Sequence, residues 1–163
     1  VIPLWGNQLG LTPSQISLVF GASSGIEMLI FYPVGMLMDS KGRKWVAVPS
    51  LILLSLGMAL IPLTTDFASL FLVSLLLGLA NGLGSGVNLT LGSDLSPEAG
   101  RSQFFGVWRL VSDLGTAGGP LLVAAVTSLL SLGAASIAVA GVGLIGAGVL
   151  WRTVPETLRV DLE

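Results

Sequence analysis

The sequence predicts an all-α integral membrane protein with five transmembrane helices. Three observations predict it. Five stretches each supply the roughly 20 apolar residues that a helix needs to cross a bilayer core. Only 10% of the 163 residues are charged, against roughly a quarter in soluble domains, and the mean hydropathy is +0.92. The stretches do not alternate apolar and polar residues, as the spanning strands of a barrel would.

The first helix is expected over residues 14–38, where Thr12-Pro13-Ser14 offers a cap and a proline near the first turn. A polar turn at 39–44 separates it from the second, over 45–63. Asp66 is placed to cap the third, over 67–91. A longer polar connection at 93–101 leads to the fourth, over 102–130. A short join at Ser131 leads to the fifth, over 132–150. Residues 1–13 are expected as an external loop and 151–163 as a cytoplasmic tail. The chain begins Val1-Ile2-Pro3-Leu4 and is read as a segment of a longer protein.

There are no cysteines and no histidines. That excludes a disulfide framework, a Cys/His zinc site and a histidine-based triad or proton relay. Neither a metal nor a cofactor is expected. A net charge of −2 gives no reason to expect nucleic acid as a partner. The basic residues set an orientation. Lys41, Arg43, Lys44, Arg101, Arg152 and Arg159 all fall on one side of a five-helix chain, and the other side has none. By the positive-inside rule the N-terminus of this segment is outside the cell membrane and the C-terminus cytoplasmic. The remaining basic residue, Arg109, lies within a helix.

Polarity inside the spans is uneven. The first helix carries Ser23, Ser24 and Glu27, the third Asn81, Ser85 and Asn88, and the fourth Arg109 and Asp113. The second and fifth carry only scattered Ser and Thr, and are expected to face lipid. Glu27 is about 18 Å along a helix axis from Asp39, near mid-bilayer, where an ionised carboxylate is costly and commonly functional. It is a candidate for proton or substrate binding; a hydrogen-bonded structural Glu, or one paired with Arg109, is the alternative. Arg109 and Asp113 are four apart and share a helix face, which suits a local ion pair as well as a role in a substrate pathway. Asn81 and Asn88 also share a face, and suit interhelical hydrogen bonding as well as substrate contact. Small residues recur four apart at Gly21/Gly25, Gly78/Gly82/Gly86 and Gly115/Gly119, a spacing that lets helix backbones approach. Pro33 and Pro120 are expected to kink their helices.

The most specific string is Gly35-Met36-Leu37-Met38-Asp39-Ser40-Lys41-Gly42-Arg43-Lys44. Gly35 would allow close helix contact, Asp39 would cap a neighbouring helix, and Gly42 would permit a tight turn. Arg43 and Lys44 could pair with Asp94 or Glu98 on the next loop of that side. The string resembles the G-x-x-x-D-[RK]-x-G-[RK]-[RK] signature of the major facilitator superfamily, found after the second helix and, more weakly, after the eighth. Ser40 stands where a basic residue is usual, which fits the weaker copy. The run from Asp94 to Arg101, then Phe105-Gly106-Val107-Trp108-Arg109 and Gly115 to Pro120, resembles the tenth and eleventh helices of bacterial efflux members. Pro155-Glu156-Thr157 resembles the string that follows their last helix.

The resemblance implies that the five helices correspond to the eighth to twelfth of such a transporter, a C-terminal half lacking its first helix. It implies alternating access and, in efflux members, proton-coupled export of a small molecule. Glu27, Asn81, Asn88, Arg109 and Asp113 would then border the pathway. Gly35, Asp39, Gly42, Arg43, Lys44, Asp94 and Arg101 would form the cytoplasmic gating motif, and the N-terminal half of the same protein would be the partner. A channel subunit or a non-catalytic membrane scaffold is the rival reading. A membrane enzyme would need clustered acids or an activated nucleophile, and Asp94 and Glu98 are the nearest to such a cluster.

Overall fold

The computed structural model of the chain describes residues 1–154. Among them every regular element is helical: α1 (Ile2–Gln8), α2 (Pro13–Lys41), α3 (Lys44–Leu60, continued by a 3-10 turn at Ile61–Leu63), α4 (Phe67–Ser85), α5 (Val87–Asp94), α6 (Arg101–Leu129) and α7 (Leu132–Thr153). Five segments are long and apolar enough to cross a membrane: α2, α3 with its 3-10 turn, α4 with α5, α6 and α7. The Pro155-Glu156-Thr157 string and Arg159 lie outside the described residues.

Side-chain caps set several helix starts. Thr12 accepts the Gln15 backbone N–H at 3.3 Å while its own N–H donates to Gln15 Oε1 at 2.9 Å, and Pro13 fills the first turn. Asp66 forms the same reciprocal box with Ser69 at the start of α4, and Ser131 accepts the Ala134 N–H at 3.1 Å at the start of α7. Each cap satisfies a backbone donor that a helix start leaves open. Gly42 ends α2 with φ 104°, and Gly100 precedes α6 with φ 80°. At both places the chain turns through a conformation that side-chain-bearing residues rarely adopt.

Two expectations change. The stretch expected as a loop, 1–13, contains α1. Pro3 suits its first turn, and Gly6 is buried where an added Cβ would lie 3.0 Å from Ile16 and 3.6 Å from Leu70. Seven residues are too few for apolar periodicity to reveal. The third span is broken at Gly86 and runs on to Asp94. Glycines at 82, 84 and 86 weaken helix propensity, and the Ser85 hydroxyl turns back to the Asn81 carbonyl at 2.8 Å.

Packing follows the small residues unevenly. α2 lies along α4, where a Cβ on Gly78 would overlap the Ser23 carbonyl and one on Gly82 would lie 3.0 Å from the Glu27 carbonyl. α3 lies between α4 and α7, with Gly143 against the Ser55 hydroxyl. Among the described residues, Gly21, Gly25, Gly115 and Gly119 have no neighbour within 4 Å of a built Cβ. α6 rests chiefly on α7 and has no buried residue.

The spans run back and forth between two ends. At one end Trp5 Nε1 donates to Thr64 Oγ1 at 2.8 Å, and Pro62 approaches Gly133. The other end gathers Lys41, Arg43, Lys44, Asp94, Arg101 and Arg152 at helix termini. Beneath that basic end sits a core of Val34, Met38, Val46, Ala47, Val87 and Leu91.

Candidate functional site: a polar seam between the helices

The seam begins at Glu27, in the middle of α2. Its Oε1 accepts from the Ser85 hydroxyl at 3.2 Å. Ser85 ends α4, so this bond spans two helices at the break between α4 and α5. Glu27 lines a cavity of about 400 Å³ with Ser23, Ser24, Leu54, Met58 and Asn81. A second cavity, of about 390 Å³, is lined by Ser50, Asn81, Ser85 and Asn88 among apolar neighbours. Asn81 borders both, so polar groups of α2, α4 and α5 form one continuous seam.

The seam reaches α6 through Asn88, whose Nδ2 donates to Ser112 Oγ at 3.2 Å. Arg109 and Asp113 flank Ser112 on that helix. Their own contact is a 3.7 Å ion pair with both side chains well exposed, and neither lines the cavities of Glu27 or Asn88. The structure therefore joins Glu27 to Ser85 and Arg109 to Asp113, not Glu27 to Arg109. The second helix, like the fifth, is expected to face lipid. Instead Leu54 and Met58 put α3 into the cavity wall, because its close packing on α4 turns one face inward.

At the basic end Arg43 Nε lies 2.9 Å from Asp94 Oδ2, and its Nη1 donates to the Met38 carbonyl at 3.2 Å. Asp39, one helical turn before Arg43, lies 3.7 Å from its Nη2. The start of α3 has no side-chain cap, so Asp39 serves Arg43 and not, as expected, a helix N-terminus. Gly42 makes the turn. Among the described residues Gly35 makes no close helix contact, since a Cβ there would meet nothing within 4 Å. Its neighbours Val34 and Met38 take the packing positions of that helix face. Lys44 Nζ sits 4.8 Å from the centre of the Trp151 ring. Arg101 donates to Ser93 Oγ at 3.0 Å, closing the connection that carries Glu98.

Sequence reasoning missed three participants. Ser112 is an ordinary hydroxyl in a span, and only its partner marks it. Ser93 had a signal, because a serine beside Asp94 and eight residues before Arg101 can bridge a tight connection. Gly92 had none: its importance lies in Trp108, whose indole nitrogen would be 2.9 Å from an added Cβ.

Comparison with known proteins places this arrangement. The chain is 24% identical over 157 residues to the inner membrane transport protein YnfM of Escherichia coli (strain K12), covering 96% of this chain and 38% of that protein. It is 28% identical over 120 residues to the quinolone resistance protein NorA of Staphylococcus aureus (strain N315), covering 74% of this chain and 31% of that protein. The chain thus spans well under half the length of these curated relatives. The model of the Major Facilitator Superfamily matches residues 1–162. With five helices able to span a bilayer, this multi-pass membrane chain belongs to the major facilitator superfamily.

Proposed function

We propose that the chain is part of a secondary active transporter that exports a small molecule by alternating access, driven by protons. The observation that carries this reading is Glu27, a carboxylate in mid-span that lines a cavity and meets Ser85 across a helix interface. Ionisable groups at such depth cost free energy and serve pathways. Export is favoured by the relative named for quinolone resistance. The basic end faces the cytoplasm of a plasma membrane by the positive-inside rule. The segments here are the eighth to twelfth helices, and the remaining wall of the pathway comes from an N-terminal half of the same polypeptide.

Ser85 supplies the coupling chemistry. Its hydroxyl has one proton and two acceptors, Glu27 Oε1 and the Asn81 carbonyl. When Glu27 is ionised, the serine proton points to the carboxylate. When Glu27 is protonated, the acid donates to Ser85 Oγ and the serine proton turns to Asn81. Proton binding thereby changes the contact between α2 and α4 beside the break at Gly86. Arg43 with Asp94 is a latch at the cytoplasmic end of this half, tying the α2–α3 turn to α5, and it breaks and re-forms between states.

The test is flux in proteoliposomes by the full-length polypeptide, assayed with fluorescent organic dyes and labelled sugars under an imposed pH gradient. Saturable, gradient-driven flux that Glu27→Gln abolishes, while substrate exchange without a gradient persists, is the expected outcome. A variant with unchanged rate and unchanged pH dependence removes Glu27 from coupling. Non-saturating flux would point to a channel.

A further inference from the structure

Among the described residues α6 is the span least tied to the rest: it has no buried residue and rests chiefly on α7. It meets α5 at two levels, one helical turn apart. Farther from the basic end, Asn88 donates to Ser112. Nearer to it, Gly92 offers a bare backbone seat to Trp108, whose indole nitrogen would be 2.9 Å from an added Cβ. Phe104 stacks on that indole, with ring centroids 5.7 Å apart and planes at 25°. Trp108 also packs against the core beneath the basic end. Ala47, Val87 and Leu91 of that core, with Leu150 packed on it, line the cavity that holds Ser50, Asn81, Ser85 and Asn88. These apolar side chains stand between the cavity and the basic end, and Trp108 is the one among them carried by α6.

The Trp108 indole N–H is shut off from solvent and finds no acceptor among the described residues. A buried donor left unpaired forfeits the hydrogen bond that water would give it. We propose that Trp108 is a lightly held gate on the basic side of the polar cavity. Seated on Gly92, the indole seals the cavity and its N–H stays unsatisfied. When α6 swings off α5 the N–H reaches water, which offsets part of the lost apolar contact, and the path to Asn88 and Ser85 opens. The two arrangements therefore lie close in free energy, and a modest bias shifts the population between them. That the gate opens in turn with substrate movement rests on the transport reading above; the seal itself does not.

The test places a cysteine at Ser50, which is 2% exposed and lines the cavity, as the only cysteine of the full-length polypeptide. Inverted membrane vesicles present the basic end to a membrane-impermeant maleimide, and the labelling rate reads the open fraction. Replacing Trp108 by β-(3-benzothienyl)alanine keeps the shape of the indole and removes its N–H. This is expected to slow labelling about tenfold, the relief of one unpaired buried donor. Gly92→Ala drives the indole from its seat and is expected to speed labelling about tenfold. Should Gly92→Ala fail to fold, Trp108→Ala is expected to speed it likewise, and Leu51→Cys is a second reporter on the same cavity wall. The proposal is overturned if the benzothienyl replacement leaves labelling unchanged or speeds it. It is also overturned if both replacements change labelling equally in right-side-out vesicles, since access would then not pass through the basic end. Flux in the same vesicles separates the gate from the transport reading. Labelling that responds as stated in a protein that carries nothing upholds the gate and removes the reading; flux with unresponsive labelling does the reverse.

Discussion

Arg43 and Asp94 form a 2.9 Å ion pair across 51 residues of sequence, with side chains only 15% and 24% exposed. The same guanidinium holds the Met38 carbonyl, so one side chain ties the end of α2 and the start of α3 to the end of α5. Arg43→Gln and Asp94→Asn should each lower the thermal stability of the purified protein in detergent. Partial shielding from water puts the pair near the upper end for accessible ion pairs, so a double-mutant cycle is expected to show about 1 kcal/mol of coupling. Strict additivity would mean that the pair is incidental, and would remove it as a latch.

Ser85 and Glu27 should behave as a unit in transport. Ser85→Ala is expected to slow proton-driven flux about tenfold, the loss of one hydrogen bond to a charged group. On a Glu27→Gln background, where only exchange without a gradient persists, it should change that exchange little, because the proton step it serves is already gone. Measured in the same proteoliposomes, a loss of that exchange by about tenfold would mean that the two side chains act separately.

The spans were legible because bilayer thickness forces a long apolar signature that no local packing can disguise. Thr12 and Asp66 were legible as boundaries because capping is a local transaction between a side chain and the next turn, whereas Ser131 was legible only as a short join and its cap on Ala134 comes from the structure. α1 was not, being too short to show a period, nor was the break at Gly86, where helix propensity competes with packing from α2. Glu27 could be singled out by its depth, yet its partner could not, since Ser85 is 58 residues away and one of several hydroxyls in the spans. Gly35 shows the limit of reading a motif as geometry: the glycine is present, but the close contact expected of it is made by Gly78 and Gly82.

That contrast is testable. A methyl group on Gly78 would run into the Ser23 carbonyl, which is backbone and cannot swing aside. Gly78→Ala should therefore push α2 and α4 apart and cost about 2 kcal/mol. Gly35→Ala meets open space among the described residues and replaces a poor helix former, so it should be neutral or stabilising, by at most about 1 kcal/mol. Thermal unfolding of both variants in one detergent decides the matter. Equal effects would mean that the α2–α4 interface is not as close as described.

Asp66 gives a prediction in pH. The Ser69 backbone N–H, and then the Ser69 hydroxyl, hold its carboxyl below the usual carboxylate range. A carboxylate depressed on folding adds stability that is complete above its unfolded value, about 3.9. That stability is lost as pH falls through the lower folded value. The start of α4 should therefore stay capped at neutral pH and loosen only in acid below about pH 4. Amide hydrogen exchange reads this at Ser69 and Leu70, whose N–H groups bond to Asp66. In Asp66→Ala both should exchange faster than in the native chain at neutral pH, and the difference should shrink as the native carboxylate takes up its proton. Exchange at these two amides that is the same in the variant and the native chain would show that the box does not anchor the helix, and that membrane packing alone fixes its first turn.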